Sequence, residues 1–116
     1  MYQVELAAKQ YPETHFVQIS GFIESRPNVV NLFGRFYQAR YISGLLMGTL
    51  IQQFYGDSNQ RVGAIASYPI PEIYRQITAF QLGLSESCPT CQVIVAYIST
   101  WRNDEAERWA CERLID

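Results

Sequence analysis

The sequence is poor in positive charge, and in lysine above all. Lys9 is the only lysine among 116 residues, and nine basic residues against eleven acidic ones give a formal net charge of −2. A protein that binds nucleic acid neutralises backbone phosphates with clustered lysine and arginine side chains. No such cluster occurs here, so the sequence predicts no nucleic-acid partner.

Long hydrophobic runs are also missing. The most apolar stretch, residues 42–51, is about half the ~20 residues that a membrane-spanning helix needs, and it contains two glycines. The first ten residues lack the charged start, apolar stretch and cleavage site of a secretory leader. We therefore expect no membrane span and no leader in this chain. The sequence does not indicate a cellular compartment.

Catalytic and metal-binding residue sets cannot be assembled. His15 is the only histidine, and no cysteine or carboxylate stands at metal-ligand spacing from it. No Ser–His–Asp set, phosphate-binding loop or pair of catalytic carboxylates is recognisable either. The sequence predicts neither an enzyme nor a cofactor.

The three cysteines offer one motif, Cys88-Pro-Thr-Cys91, and a third residue, Cys111. An odd number leaves at least one free thiol in a monomer. The motif resembles a thioredoxin-type redox pair, whose first thiol sits at the start of a helix. Here it follows a predicted helix and precedes a predicted strand. We interpret it as a turn whose cysteines are incidental or joined in a disulfide.

Helical and strand-like segments alternate along the chain, which is typical of a layered α/β fold with a parallel sheet. In the first half, the pattern predicts a helix over residues 2–10, a strand over 15–19, a polar loop over 20–31 and a helix over 34–54. A turn cluster at residues 56–59 is the best candidate boundary.

In the second half, the pattern predicts a β-α-β-α unit. Residues 62–66 form a short apolar run without alternation, as expected for a parallel strand covered on both faces. Pro71 suits the first turn of a helix whose apolar stripe contains Ile73, Ile77, Phe80 and Leu84. A strand over residues 92–98 and a last helix capped by Asn103 complete the unit.

Several motifs at fixed spacing carry a family resemblance. They are Arg35-Phe-Tyr-Gln-Ala-Arg-Tyr-Ile-Ser-Gly44, Val62-Gly63, Tyr68-Pro-Ile-Pro-Glu72, and Arg75 with Ala79-Phe80 and Leu82-Gly83. Together they resemble the basic membrane protein family, solute-binding lipoproteins that deliver purine-type ligands to ABC transporters. The resemblance covers nearly all of this chain but about a third of a family member.

The resemblance implies a segment of a type I periplasmic-binding-protein-like fold, with three αβα layers in each of two lobes. Residues 1–57 would end the first lobe with a strand, a loop and a long helix. Residues 58–116 would begin the second lobe as the β-α-β-α unit. Family members are exported, lipid-anchored partners of an ABC permease.

The resemblance also implies a ligand in the cleft at the carboxyl ends of the parallel strands, where open α/β sheets generally bind. The candidate ligand contacts are Trp101, which offers a ring for stacking, Asn28 and Asn31, which offer amide groups, and Tyr68. The alternatives are a tryptophan that packs a strand–helix corner and asparagines that bond their own backbone.

One loop departs from the family pattern. The family's Asn-Ser-Trp-Phe/Tyr-Asp-Pro is Ser99-Thr-Trp-Arg-Asn-Asp104 here, so the ligand contacts of this loop need a test. We expect a purine nucleoside- or nucleobase-binding segment that is incomplete as a binding unit. The alternative is a non-catalytic assembly module, a homo-oligomer formed through uncovered sheet edges.

Overall fold

The computed structural model describes residues 2–21, 26–56 and 60–115. The described elements combine helices with strands, and both strand pairs are parallel, so the predicted α/β class is confirmed. The elements in chain order are α1 (Tyr2–Gln10), β1 (Phe16–Ile19), β2 (Val29–Leu32), α2 (Phe36–Tyr55), β3 (Arg61–Ala66), α3 (Pro71–Ser87), β4 (Gln92–Tyr97) and α4 (Asp104–Ile115).

The chain divides into two compact units, Met1–Arg35 and Phe36–Asp116. This division falls inside the predicted first lobe, because α2 packs along α3 in the carboxy-terminal unit. The lobe boundary between residues 57 and 58 therefore stays a prediction. Gly56, at the predicted turn, has a left-handed φ of 68°, and the rest of that turn lies outside the described residues.

In the amino-terminal unit, β1 and β2 pair in parallel, from Phe16 opposite Val29 to Ile19 opposite Leu32. The prediction of a loop through residue 31 is wrong for this strand. Four residues that include polar Asn31 carry little periodic signal, so the pairing with β1 decides their conformation. Residues 22–25 of the predicted loop lie outside the described residues.

Side chains alternate across this small sheet. Helix α1 contacts both strands, and Phe16 and Val29 are half-buried. The alternate residues Val17, Ile19, Val30 and Leu32 are all more than half exposed. Parallel sheets are normally covered on both faces, so the described part of this unit leaves an apolar face without cover.

The carboxy-terminal unit is organised around the contact between α2 and α3. Gly44 of α2 lies against the backbone of Phe80 and Leu84, and Gly83 of α3 lies against the backbone of Tyr41 and Leu45. Two side chains add polar links, since Ser87 Oγ donates to Leu45 O at 2.8 Å and the Tyr41 hydroxyl bonds Glu86. Glycines let two helix backbones approach closely.

Strands β3 and β4 pair in parallel between α3 and α4. Val62 packs on the α3 side, whereas a Cβ added to the next residue, Gly63, would lie 3.2 Å from the Cβ of Leu114 on α4. Successive strand residues face opposite sides, which confirms the αβα layering. The helices cover the faces of β3 only in part, because Ile65 is 42% exposed. The prediction that both faces of β3 are buried is therefore wrong at this residue.

Helix α4 begins as predicted. Asn103 Oδ1 accepts the backbone N–H groups of Glu105 and Ala106 at 3.1 and 3.0 Å, the bonds of an N-cap. No helix among the described residues is both long enough and apolar enough to cross a bilayer.

Candidate functional site

An open cavity of about 540 Å³ lies in the carboxy-terminal unit. Residues 63–67, five in succession, line one side of it. Alternate side chains of a strand point to opposite faces of the sheet, so a cavity on one face would contact every second residue. Only a cavity along the edge of the strand contacts successive residues. The cavity therefore runs along the edge of β3 that is not paired with β4, and it reaches the carboxyl ends of both strands.

Two loops meet at those carboxyl ends. Ile98 N–H donates to Ala66 O at 2.9 Å, and Ser99 N–H donates to Ser67 O at 2.7 Å. Beyond them, the Tyr68 and Trp101 rings lie 5.2 Å apart between centroids in an edge-to-face contact. The structure thus brings together two of the predicted ligand contacts, Tyr68 and Trp101.

Trp101 is available to a ligand. Its side chain lines the cavity and is 67% exposed, while the edge-to-face contact with Tyr68 restricts its ring without covering it. A tryptophan that filled a strand–helix corner would be buried. The exposed ring does not match the packing alternative, and a stacking contact with a ligand stays a prediction.

The backbone before Trp101 is strained. Ser99 has a φ of 55°, in the left-handed region that asparagine tolerates better than serine. This gives a physical reason for asparagine at this place in the family pattern. Strain of this kind accumulates in binding loops.

Polar side chains line the cavity walls. Arg40 Nε donates to Gln76 Oε1 at 3.4 Å, and Glu107 Oε1 accepts the Asn103 N–H at 3.3 Å. Both pairs contain cavity-lining residues. Gln76 and Glu107 were not predicted, because single polar residues on a helix carry no positional signal in the sequence.

Tyr97 ends β4 close to this loop. Burial raises the pKa of its hydroxyl, with smaller contributions from Tyr74, whose ring lies 6.0 Å away in an edge-to-face contact. The hydroxyl is therefore neutral at physiological pH.

Asn28 has a structural role in the amino-terminal unit. It is 7% exposed, and its Nδ2 donates to the carbonyls of Ala8, Tyr11 and Thr14 at 3.1, 3.2 and 2.9 Å. These carbonyls lie 14–20 residues before Asn28, so the bonds are tertiary contacts and differ from the local turn bonds of the alternative. They give no support to a ligand contact, which stays a prediction.

Asn31 lies in β2, half-buried, with its Oδ1 against Gly21. The sequence placed it in a loop, where an amide could reach a ligand freely. In the strand its direction is set by the pleat, so a ligand role for Asn31 also stays a prediction.

The Cys88-Pro-Thr-Cys91 motif is a turn with a disulfide between its cysteines. Cys88 follows the last residue of α3, so the order of helix and motif is the reverse of a redox site. Cys111 is a free, exposed thiol on α4. Among the described residues, no group of three or more His, Cys, Asp or Glu side chains could hold a metal ion.

Comparison with known proteins yields relatives along nearly the whole chain. A putative ABC transporter glucose-binding protein of Haloferax volcanii, TsgA13, is 33% identical over 109 residues, which cover 94% of this chain and 26% of the relative. A purine-binding protein of Brucella abortus is 28% identical over 109 residues, covering 94% of this chain and 29% of the relative.

A solved structure shares the fold. The ABC transporter solute-binding protein of Conexibacter woesei matches with a TM-score of 0.62 at 22% sequence identity, over 96% of this chain and 36% of that chain. This chain thus spans between 26% and 36% of the length of these three proteins.

The family model of PnrA-like ABC transporter substrate-binding proteins matches residues 3–116. The match confirms the resemblance to the basic membrane protein family, and it includes the motifs on α2, β3 and α3 that carry the resemblance. The chain belongs to the family of PnrA-like ABC transporter substrate-binding proteins.

Proposed function

We propose that this chain supplies one wall of a purine-binding cleft in the substrate-binding component of an ABC transporter. The observation that carries the proposal is the exposed Trp101 ring, held by Tyr68 at the carboxyl ends of two parallel strands. A permease would be the partner of the complete protein. The chain performs no chemistry in this proposal.

The named ligands of two relatives differ, since one is called glucose-binding and the other purine-binding. A purine presents a flat π-face to an indole, which stacks on it with about 1–3 kcal/mol per base in nucleic-acid systems. We therefore favour a purine nucleoside or nucleobase at Trp101, and glucose serves as the competing ligand in the test.

A single wall should bind weakly. Stacking alone at about 3 kcal/mol corresponds to a dissociation constant of about 6 mM. We expect calorimetry of residues 1–116 with adenosine or guanosine to detect no micromolar binding. A micromolar heat signal would contradict the prediction that the binding unit is incomplete.

Weak stacking is measurable by NMR of the two indole N–H groups, Trp101 and Trp109. We expect millimolar adenosine to shift the Trp101 signal and glucose to shift it far less, because only the purine stacks. Trp109 is a matched control at 60% exposure against 67%. Its ring lies under the Arg113 guanidinium at 5.7 Å, so the Arg113→Ala variant gives a control with an open ring.

Two outcomes would count against the purine proposal. Equal shifts of Trp101 and Trp109 in the Arg113→Ala variant would indicate unspecific stacking on any exposed indole. Larger shifts with glucose than with adenosine would assign the site to a sugar. Trp101→Ala should abolish the saturable shift of neighbouring signals.

A second candidate function is assembly through a sheet edge, and the cavity beside β3 favours it. Within the described residues β3 pairs with no strand other than β4. The even-numbered residues of β3 direct their N–H and C=O groups toward β4. Two bonds show this, from Gln92 N–H to Gln60 O and from Ile98 N–H to Ala66 O. Gly63 and Ile65 therefore present N–H and C=O groups at the open edge.

Edge strands usually carry a lysine, a proline or a bulge that prevents pairing with another chain. Strand β3 has only Arg61 at its first position. Antiparallel pairing with the β3 of a second copy would place Arg61 near the carboxyl end of the partner strand. Glu107 lines the cavity at that end, so the opposite charges would complement each other.

The assembly proposal predicts a concentration-dependent dimer. In sedimentation velocity experiments, Ile65→Lys should shift the protein to monomer, because a charge on the edge strand opposes pairing. Ile94→Lys on β4 is the matched control, since Ile94 is 40% and Ile65 42% exposed. A wild-type monomer at high concentration, or equal effects of both variants, would contradict pairing through β3.

A further inference from the structure

The Cys88–Cys91 disulfide lies in the core of the carboxy-terminal unit, although its motif looks like a surface turn. Cys88 is 0% exposed and Cys91 is 2% exposed. Both belong to a buried cluster with Ile51 of α2 and Leu84 of α3, and the cluster is flanked by Val62 of β3, Phe80 of α3 and Val93 of β4. The disulfide therefore sits where four elements of this unit meet.

One side chain closes the turn around the disulfide. Gln81 of α3 donates from Nε2 to Cys91 O at 3.3 Å, and its Oε1 accepts the Val93 N–H at 2.7 Å. Val93 N–H points away from β3, since the alternate residues of β4 bond β3. The Gln81 amide thus takes the place of a strand beside the first residues of β4.

A reductant cannot reach this disulfide in the closed structure. A thiolate must attack one sulfur directly to form a mixed disulfide, and both cysteines are buried. The turn is otherwise held by backbone bonds of its own, from Cys88 N–H to Leu84 O and from Cys91 N–H to Cys88 O. Separation of β4 from Gln81 would break the two bonds that hold residues 91 and 93 against α3.

We propose that Cys88–Cys91 is a redox-sensitive pin of the carboxy-terminal unit and that Gln81 controls access to it. A dithiol reduces the pin only after residues 88–93 open locally. Two electrons and two protons pass from the dithiol, which becomes a cyclic disulfide, and Cys88 and Cys91 become thiols. The reduced unit keeps its fold with lower stability, because the link in the unfolded chain is lost.

The test measures the rate at which dithiothreitol exposes thiols to maleimide in the folded chain, read by mass spectrometry. Cys111 should react at once, as an exposed thiol, and serves as the internal reference. Cys88 and Cys91 should react far more slowly. Gln81→Ala should raise their rate by about tenfold, because it removes two hydrogen bonds that hold the closed form.

Ile77→Val is the matched control on the same helix. It lowers global stability without touching the turn. The two variants are compared by the increase in the reduction rate per unit of lost unfolding free energy. If this ratio were the same for Ile77→Val and Gln81→Ala, reduction would need global unfolding, and the proposal would be overturned. Wild-type Cys88 and Cys91 that react as fast as Cys111 would overturn it too.

The contribution of the disulfide to the stability of the fold is measured separately, by thermal unfolding. The double variant Cys88→Ala/Cys91→Ala should stay folded by circular dichroism and lose roughly 8 °C in thermal midpoint. Dithiothreitol should then leave its midpoint unchanged. An unchanged midpoint relative to the oxidised wild type would contradict a stabilising pin.

Discussion

Replacement of Gly83 by alanine should lower the free energy of unfolding by about 2–3 kcal/mol. An alanine in a helix interior is normally better than a glycine by about 1 kcal/mol, so the sign of this effect is set by packing. A Cβ on Gly83 would meet the Tyr41 carbonyl, with Tyr41 C at 2.9 Å and Leu45 N at 3.0 Å. These are backbone atoms of α2, which no side-chain rotation can move aside.

The effect should recur across the helix contact. Gly44→Ala would place its Cβ against the Phe80 carbonyl and 2.8 Å from Leu84 N, and we expect a similar loss. Gly48→Ala should cost somewhat less, because its nearest neighbour is the Ser87 hydroxyl, which can rotate, and its closest backbone atom is Leu84 O at 2.9 Å. Ser43→Ala, next to Gly44 on the exposed side of α2, is the matched control and should be neutral.

Urea denaturation of the four variants checks this order. If Gly83→Ala and Gly44→Ala matched Ser43→Ala, α2 and α3 would not be in backbone contact in solution. A change in the slope of the transition as well as its midpoint would indicate an altered unfolded or native state. The expected result is a shifted midpoint at constant slope.

The elements that the sequence predicted well are those with long periodic patterns. Helix α3 shows an apolar stripe over about three turns and a proline at its start, and the structure places it as expected. Strand β2 had no such pattern, because its four residues depend on β1 for their conformation. Local sequence therefore predicted helices better than the short strand.

Contacts between distant side chains were beyond sequence reasoning. Gln81 looks like any polar residue on a helix, yet it bonds the edge of β4 through both of its amide atoms. The glycines of α2 and α3 were recognised as family positions, but the pairing of Gly44 with Phe80 and of Gly83 with Tyr41 needs the two helices in place. Spacing along the chain contains no information on these partners.

The candidate site was predicted in part. Tyr68 and Trp101 lie 33 residues apart along the chain, and parallel pairing of β3 and β4 brings their loops to one edge. An asparagine in a loop could contact a ligand or bond the backbone, and the sequence does not distinguish these two roles. The burial of Asn28 and its three carbonyl partners favour the structural one.

Asn28→Asp should be the most damaging isosteric change in the amino-terminal unit, with a loss of about 2–3 kcal/mol. The amide donates to three carbonyls that lie in the last turn of α1 or just after it, including Ala8 at 3.1 Å and Thr14 at 2.9 Å. A carboxylate has no hydrogen to donate, and its charge would face three carbonyl oxygens. Hydrogen exchange of the α1 and β1 amides should accelerate accordingly.

Asn103→Asp is the matched control, because the same change should be harmless there. The Asn103 side chain accepts hydrogen bonds through Oδ1 at the start of α4, and aspartate accepts them equally well beside the positive end of a helix. The opposite responses of two asparagines follow from the direction of their hydrogen bonds. If Asn28→Asp were as stable as Asn103→Asp, the three carbonyl bonds would not support the unit, and the Asn28 amide would be free to contact a ligand.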